Sequence, residues 1–242
     1  MKLFRNTFPA AARQPVRTSS YGGAGRRVHT LIAAAGLALS LFAGLPNAQA
    51  QDRPVKLVVL GDSLTAGLGL PAAQAFPARL SRALKAKGLA VEVSDAGVSG
   101  DTASGGLGRL DWAVPEGTQA VIVELGANDA LRGVNPSVTR SALDKIVSRL
   151  KARGIEVLLA GMAAPRNLGK EYTQGFDGIY PDLAAKHGAL LYPFFLDGVA
   201  TQAKLNQRDG IHPNAAGVDV IVERILPKVE ELITRVRAKS AS

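Results

Sequence analysis

The chain has 242 residues, 47% of them apolar and 20% charged, so it can bury a core and is neither disordered nor fibrous. It contains no cysteine, which excludes a disulfide scaffold, a thiolate metal site and a cysteine nucleophile. The net charge of +9 is concentrated at the N-terminus, because residues 1–50 hold six basic and no acidic residues. Residues 51–242 therefore carry a net charge of only +3, and their densest basic cluster follows one helical face, so we expect no nucleic-acid partner.

Residues 1–50 have the pattern of a signal peptide. Arg26-Arg27 precede an uncharged stretch whose apolar core is about 15 residues long, shorter than the roughly 20 needed to span a bilayer. The stretch ends in Ala48-Gln49-Ala50, which fits the small-x-small rule for cleavage. We therefore expect cleavage after Ala50, a periplasmic or secreted mature chain, and no membrane span once the leader is removed. An uncleaved N-terminal anchor is the alternative.

From residue 51 onward, short apolar runs alternate with longer segments of helical periodicity. The predicted strands are Val55–Leu60, Val91–Ser94, Ala120–Leu125, Glu156–Ala160 and Ala189–Tyr192. The predicted helices are 76–87, a segment behind the cap Asn135-Pro136-Ser137, Glu171–His187, and a last helix with a kink at Pro227. This alternation predicts one α/β domain over 51–242, a three-layer α/β/α sandwich around a five-stranded, mostly parallel sheet. Reactive residues are then expected in the loops at the carboxyl ends of the strands.

Two of these loops carry a candidate nucleophile and a candidate base. Ser63 follows the first strand in Gly61-Asp62-Ser63-Leu64, where its hydroxyl can project into a cleft. His212 lies in Asp209-Gly210-Ile211-His212-Pro213, and a tight turn can bring the Asp209 carboxylate to the imidazole and orient it. Ordinary turn and cap residues are the alternative interpretation of each loop. His187, which precedes Gly188 at a helix end, is interpreted as structural.

Two further loops contain residues that can donate hydrogen bonds to an oxyanion. Ser99-Gly100-Asp101-Thr102 follows the second strand, and Gly126-Ala127-Asn128-Asp129 follows the third. A glycine lets a backbone N–H approach a substrate closely, and an amide side chain can add another donor. Each loop alone could be an ordinary turn. The G-x-S-x-G, P-loop and dinucleotide-binding patterns are missing from the sequence, which argues against an α/β-hydrolase elbow and a nucleotide-dependent dehydrogenase.

Taken together, the four loops resemble the four blocks of the SGNH (GDSL) hydrolase family, which centre on Ser, Gly, Asn and His. The blocks here are GDSLTAG at 61–67, SGDT at 99–102, GAND at 126–129 and DGIHP at 209–213. The resemblance covers essentially all of 51–242 and is strongest to the bacterial periplasmic branch of thioesterases, lysophospholipases and arylesterases. It implies a flavodoxin-like SGNH hydrolase fold and a serine esterase that acts on small-molecule acyl esters or thioesters.

The resemblance also implies a role for each site residue. Ser63 would attack an acyl carbonyl, with His212 as the base and Asp209 as its orienting acid. The Ser63 N–H, the Gly100 N–H and the Asn128 side chain would form the oxyanion hole. We expect Asp62 and Asp129 to bind backbone groups and brace their loops.

No cofactor is implied, and we expect no metal, since Asp209 and His212 lack a third ligand at suitable spacing. We expect a monomer, because nothing in the sequence indicates an obligate partner.

The substrate is left open by the sequence. Several apolar loop residues near the site either line a groove for an acyl chain or simply pack against the rest of the domain. They are Leu68, Gly69, Leu70, Leu107, Gly108 and the loop Met162–Gly169. A carbohydrate acetylesterase of the same fold is the alternative, although the single tryptophan, Trp112, offers little for sugar binding. A non-catalytic binding domain is disfavoured because Ser63 and His212 are both present.

Overall fold

The predicted sheet is present in the computed structural model, which describes residues 53–241 and, before them, only Pro15. Its strands are β1 (Val55–Gly61), β2 (Val91–Gly97), β3 (Ala120–Glu124), β4 (Glu156–Ala160) and β5 (Leu190–Tyr192). All the pairings are parallel, in the order β2-β1-β3-β4-β5, which confirms the predicted parallel sheet. The predicted leader and its cleavage site lie outside the described residues.

The apolar runs became strands because helices cover both faces of the sheet. Every residue of β3 is buried, and in β1 all but Lys56 are buried. The edge strand β2 is more exposed and runs on to Gly97, beyond the predicted end at Ser94. Its polar residues Ser94 and Asp95 pair with Val58 and Val59 of β1, so backbone pairing continues where the apolar pattern stops.

Nine α-helices occur in the described part of the chain. They are α1 (Ser63–Ala66), α2 (Phe76–Ala86), α3 (Ala103–Gly108), α4 (Leu110–Ala113), α5 (Ala127–Leu131), α6 (Pro136–Ala152), α7 (Lys170–Asp177), α8 (Ile179–His187) and α9 (Ala215–Ala241). Helix α2 packs against α9, whereas α6 packs against α3, α7 and α8. Right-handed crossovers from this strand order place these two groups on opposite faces, which gives the three layers predicted. Within residues 53–241, none of these helices combines the length and the apolar composition needed to span a membrane.

The single helix predicted over Glu171–His187 was wrong. The segment forms two helices, α7 and α8, that meet at Gly178. Pro181 has no N–H to donate to the carbonyl four residues earlier, so the hydrogen-bond ladder is interrupted at this point. Pro227 lies within α9, which continues beyond it to Ala241.

The strand order creates a crevice at the carboxyl end of β1. Gly61, the last residue of β1, pairs with Gly97 of β2 on one side and with Glu124 of β3 on the other. Chain connections leave β1 toward β2 and then return past it to β3, and sheets of this type bind ligands where the direction changes. The loops after β1, β2 and β3 meet at this edge.

Candidate active site

Ser63 is held at the start of a single turn of helix directly behind β1. The Asp62 carboxylate caps this turn by accepting the Leu64 N–H at 2.9 Å. Gly67 ends the turn with a φ of 73°, and its N–H donates to the Ser63 carbonyl at 3.1 Å. The Ser63 side chain therefore has a defined position, and 8% of the residue is exposed.

Ser63, His212 and Asp209 form a continuous hydrogen-bonded chain. The Ser63 Oγ lies 2.9 Å from the His212 Nε2, and the His212 Nδ1 lies 2.8 Å from the Asp209 Oδ2. A carboxylate can only accept, so it keeps the imidazole proton on Nδ1 and leaves Nε2 free to accept the serine proton. The geometry is that of a nucleophile, a base and an orienting acid.

Asp209 is held in its ionised form by the turn that it shares with His212. Its Oδ1 accepts the backbone N–H groups of Ile211 and His212, each at 3.0 Å. These backbone hydrogen bonds, with the contact from the His212 ring, lower the pKa of Asp209 to about 2. The carboxylate is therefore charged throughout the neutral range, as stabilisation of an imidazolium requires.

Gln207 connects the histidine loop to the nucleophile loop. Its Nε2 donates to the Leu68 carbonyl at 2.7 Å and to the Pro213 carbonyl at 3.0 Å. Its own backbone N–H donates to the His212 carbonyl at 2.8 Å. Nothing in the local sequence marked Gln207, because its role depends on a contact 139 residues away.

Gly100 and Asn128 lie on the wall of the same cavity as Ser63 and His212. Gly100 has a φ of 84°, a conformation that favours glycine, and its carbonyl accepts from the Arg132 guanidinium at 2.9 Å. The Asn128 Nδ2 donates to the Asp62 Oδ2 and to the Asp101 carbonyl, both at 3.0 Å. These two acceptors fix the amide in the free protein, so an oxyanion must compete with them for its hydrogens.

A buried arginine, Arg109, connects loops on which the site residues lie. Arg109 is 8% exposed, and its guanidinium donates to the Asp101 Oδ2 at 2.5 Å, the Ala96 carbonyl at 2.7 Å and the Gly61 carbonyl at 2.9 Å. It thus links the ends of β1 and β2 to the loop that carries Gly100. No local sequence pattern points to Arg109, because its acceptors lie up to 48 residues away.

The two aspartates beside the site residues bind backbone groups, as the sequence predicts. Asp62 accepts from Leu64, and Asp129 accepts the Ala103 N–H at 2.8 Å and the Thr139 hydroxyl at 2.9 Å. Both are fully buried. Burial raises the pKa of Asp62 to about 6, while hydrogen bonds from Leu64 and Asn128 act in the opposite direction. His187 lies at the end of α8 with its Nε2 2.6 Å from the Asp144 Oδ1, which is consistent with a structural role.

The cavity has a volume of about 630 Å³ and a largely apolar wall. The apolar residues that contribute large side chains are Leu64, Leu68, Leu131, Met162, Phe194, Leu196 and Ile211. Of the residues that the sequence offers as candidates for a groove, Leu68 and the segment 162–166 line the cavity, whereas 167–169 do not. Gly69, Leu70, Leu107 and Gly108 do not: Leu107 belongs to α3 and lines a separate depression beside Val138 of α6.

The described residues offer neither a tryptophan at the cavity wall nor a metal site. Trp112, 72% exposed, is not among the residues that line the cavity. Within residues 53–241 there is no group of three or more side chains that could hold a metal ion.

Comparison with protein families and with known proteins identifies relatives over this same region. The model of the GDSL-like lipase/acylhydrolase family matches residues 59–220. The esterase TesA of Pseudomonas aeruginosa is 39% identical over 73% of this chain and 89% of its own length. The arylesterase of Vibrio mimicus is 40% identical over 77% of this chain and 93% of its own. Thioesterase 1/protease 1/lysophospholipase L1 of Escherichia coli is 38% identical over 73% of this chain and 84% of its own.

Solved structures agree with the sequence relatives. The crystal structure of TesA is 38% identical and superposes with a TM-score of 0.70, over 73% of this chain and 99% of that chain. AlinE4, an SGNH-hydrolase family esterase, is 43% identical with a TM-score of 0.63, over 74% of this chain and 96% of that chain. All four sequence blocks lie within residues 59–220, which the family model matches.

Proposed function

The chain belongs to the GDSL-like lipase/acylhydrolase family and is a serine hydrolase acting on ester bonds, and we propose that it cleaves acyl esters and thioesters through a Ser63–His212–Asp209 triad. The observation that carries the proposal is the hydrogen-bonded chain of 2.9 Å and 2.8 Å that links these three side chains, with Ser63 and His212 at the cavity wall. A serine hydroxyl is a weak nucleophile without such a base.

In the proposed reaction the Ser63 Oγ attacks the acyl carbonyl while the His212 Nε2 removes its proton. Asp209 stabilises the positive charge of the imidazolium, which then protonates the leaving oxygen or sulfur atom so that an alcohol or thiol departs. Water, activated by His212, hydrolyses the acyl-enzyme and regenerates the serine. The N–H groups of Ser63 and Gly100 and the Asn128 amide are the proposed donors to the oxyanion.

The apolar wall of the cavity supports an acyl chain as the part of the substrate that is bound there. Burial of each methylene group contributes about 0.8 kcal/mol, so a chain lying along this wall gains affinity with length. A carbohydrate acetylesterase has less support, because a sugar needs polar and aromatic contacts and Trp112 lies outside the cavity wall. The substrate we propose is therefore a small molecule with a linear acyl group.

We further propose that the enzyme acts in the periplasm or after secretion. The support is the pattern of residues 1–50, with cleavage after Ala50 and a single catalytic domain over 51–242. N-terminal sequencing of the protein recovered from outside the cytoplasm would identify the first residue. A mature start at Gln51 supports the proposal, and recovery only of the full-length chain in the membrane fraction contradicts it.

The decisive experiment measures the rates at which the purified chain 51–242 hydrolyses p-nitrophenyl esters and acyl-CoA thioesters of graded chain length. We expect hydrolysis of both series. A serine-directed phosphonate should inhibit both completely, and mass spectrometry should find one phosphonyl group per chain, on Ser63. Ser63→Ala serves as the control that no contaminating esterase is present. Labelling at another residue, or activity that survives full labelling of Ser63, would exclude the proposed nucleophile.

A further inference from the structure

A second carboxyl group lies behind the nucleophile, and the reaction proposed above does not use it. Glu124 is the last residue of β3 and is fully buried. Its Oε2 accepts the backbone N–H of Asp62 at 3.3 Å, and its Oε1 has no hydrogen-bond partner among the described residues. A buried acid is costly to keep, so its presence at the end of an otherwise apolar strand requires an explanation.

The surrounding backbone makes room for this carboxyl group. Gly61 lies beside Glu124 in the sheet, and a Cβ atom at Gly61 would approach the Glu124 Oε2 to 2.8 Å and the Thr65 side chain more closely still. Any residue other than glycine at this position would therefore displace either the acid or α1. The end of β1 thus has room only for glycine beside Thr65 and Glu124.

Glu124 is connected to the site through Asp62. The Asp62 backbone donates to Glu124, whereas the Asp62 carboxylate accepts the Leu64 N–H at 2.9 Å and the Asn128 amide at 3.0 Å. A change in the position of Asp62 thus moves both the turn that begins with Ser63 and the amide of Asn128. Two consecutive hydrogen bonds therefore run from Glu124 of β3, through Asp62, to the Asn128 amide.

The electrostatics of the two acids suit this arrangement. Burial, together with the nearby Asp62 charge, raises the pKa of Glu124 well above its usual value. Asp62 receives hydrogen bonds from Leu64 and Asn128, which favour its charged form. Of the two acids, Asp62 thus has the environment better suited to a negative charge, and its carboxylate accepts from the Asn128 amide.

We propose that Glu124 is a positioning residue for hydrolysis, which holds the Asp62 segment and, through the Asp62 carboxylate, keeps the Asn128 amide in place at the cavity wall. The inference rests on the proposed function, because alignment of Asn128 affects a rate only if the amide binds the oxyanion. Glu124 itself touches neither the cavity nor the triad side chains in the contacts described above.

Two substitutions at this position separate positioning from stability. Glu124→Gln keeps an acceptor for the Asp62 N–H and a neutral donor, whereas Glu124→Met keeps only the volume. We expect Glu124→Met to lower kcat on p-nitrophenyl butyrate by about 10- to 100-fold with KM within about threefold, and Glu124→Gln to restore kcat to within about threefold of wild type. The melting temperature should change little in Glu124→Met, because removal of a buried acid offsets the loss of the acceptor for the Asp62 N–H. Tyr192→Phe is the matched control, since the Tyr192 hydroxyl is also a buried group without a hydrogen-bond partner, on the edge strand β5.

A second readout does not depend on activity. The side-chain amide signals of Asn128 in a ¹⁵N NMR spectrum, assigned with Asn128→Ala, should shift in Glu124→Met and stay in place in Glu124→Gln and Tyr192→Phe. Unmoved Asn128 signals in Glu124→Met overturn the proposal whatever the rate. So does a Glu124→Gln variant as slow as Glu124→Met, or a rate loss matched by a loss of folded protein. If wild type hydrolyses no ester, the proposed function fails, while the Asn128 signals still decide the positioning role.

Discussion

The Ser63 Oγ and the His212 Nε2 lie 2.9 Å apart, although 149 residues separate them in the chain. Proton transfer during attack requires this proximity, so Ser63→Ala and His212→Ala should each lower kcat by at least about a thousandfold without unfolding the protein. Initial rates on p-nitrophenyl butyrate measure the effect. His187→Ala is the matched control, because His187 pairs with Asp144 at the end of α8 and should retain the full rate. A Ser63→Ala variant close to the wild-type rate would show that the mechanism is wrong.

Asp209 keeps the proton of His212 on Nδ1, and Asp209→Asn should therefore lower kcat by about 10²- to 10⁴-fold. The asparagine keeps the size of the side chain but can hold the imidazole in the wrong tautomer. Steady-state kinetics over neutral pH measure the change. An Asp209→Asn rate within a few-fold of wild type would mean that the carboxylate is not needed to orient the base.

The lowered pKa of Asp209 also predicts how the stability of the folded protein depends on pH. The pKa of Asp209 in the folded protein, about 2, lies below its ordinary value of 3.8. The folded state therefore binds this proton less readily than the unfolded state, so the contribution of Asp209 to stability is present above about pH 4 and is lost as the pH falls toward 2. Melting temperatures between pH 5 and 2 should fall more steeply in wild type than in Asp209→Asn. The difference should be small, because the side chain is 45% exposed.

Asn128→Ala should lower kcat by about 100-fold and change KM little, since the amide is expected to bind the oxyanion more strongly than the ground-state carbonyl. The variant also removes the donor that Asp62 and the Asp101 carbonyl accept from. Its melting temperature must therefore be measured beside the kinetics. A proportional rise in KM at constant kcat would instead assign Asn128 to ordinary substrate binding.

The sequence was sufficient to predict the sheet and the four loops of the site. Apolar runs such as 120–124 predict buried strands, and the carboxyl ends of parallel strands meet at one edge, which brings Ser63, Gly100 and Asn128 onto one cavity wall. Arg109 and Gln207 were missed because their roles depend on carbonyls 48 and 139 residues away, to which no local pattern points.

Other features needed the three-dimensional arrangement for a similar reason. From the sequence, Glu124 is only one residue of the predicted strand Ala120–Leu125, and its burial beneath Asp62 depends on how β3 pairs with β1. The break at Gly178 was missed because the helical pattern on both sides of Pro181 is continuous in sequence. The sequence leaves open whether Leu107 lines the groove or packs, and its position in α3 puts it in another depression.

Arg109 should contribute more to stability than an exposed arginine with an ion pair of similar length. It is buried and donates to Asp101 and to two backbone carbonyls, so Arg109→Met should leave these acceptors unpaired and lower the free energy of unfolding by about 3 kcal/mol. Arg149→Met is the control, because Arg149 and its partner Asp111 are both exposed and such a pair is worth about 0 to 1 kcal/mol. Urea denaturation of both variants measures the difference, and equal losses would contradict the bracing role of Arg109.

The apolar cavity predicts how the rate depends on the acyl chain. Each methylene buried against the wall should contribute about 0.8 kcal/mol, or roughly a fourfold rise in kcat/KM, until the groove is filled. Ala200, a small residue of the wall, tests this expectation: Ala200→Trp should fill part of the groove and lower the decanoate-to-acetate ratio of kcat/KM by about tenfold or more. Trp112→Ala is the control outside the cavity and should leave the ratio unchanged. A rate that is flat across chain lengths in wild type, or a ratio that Ala200→Trp does not move, would place the acyl chain somewhere other than this cavity.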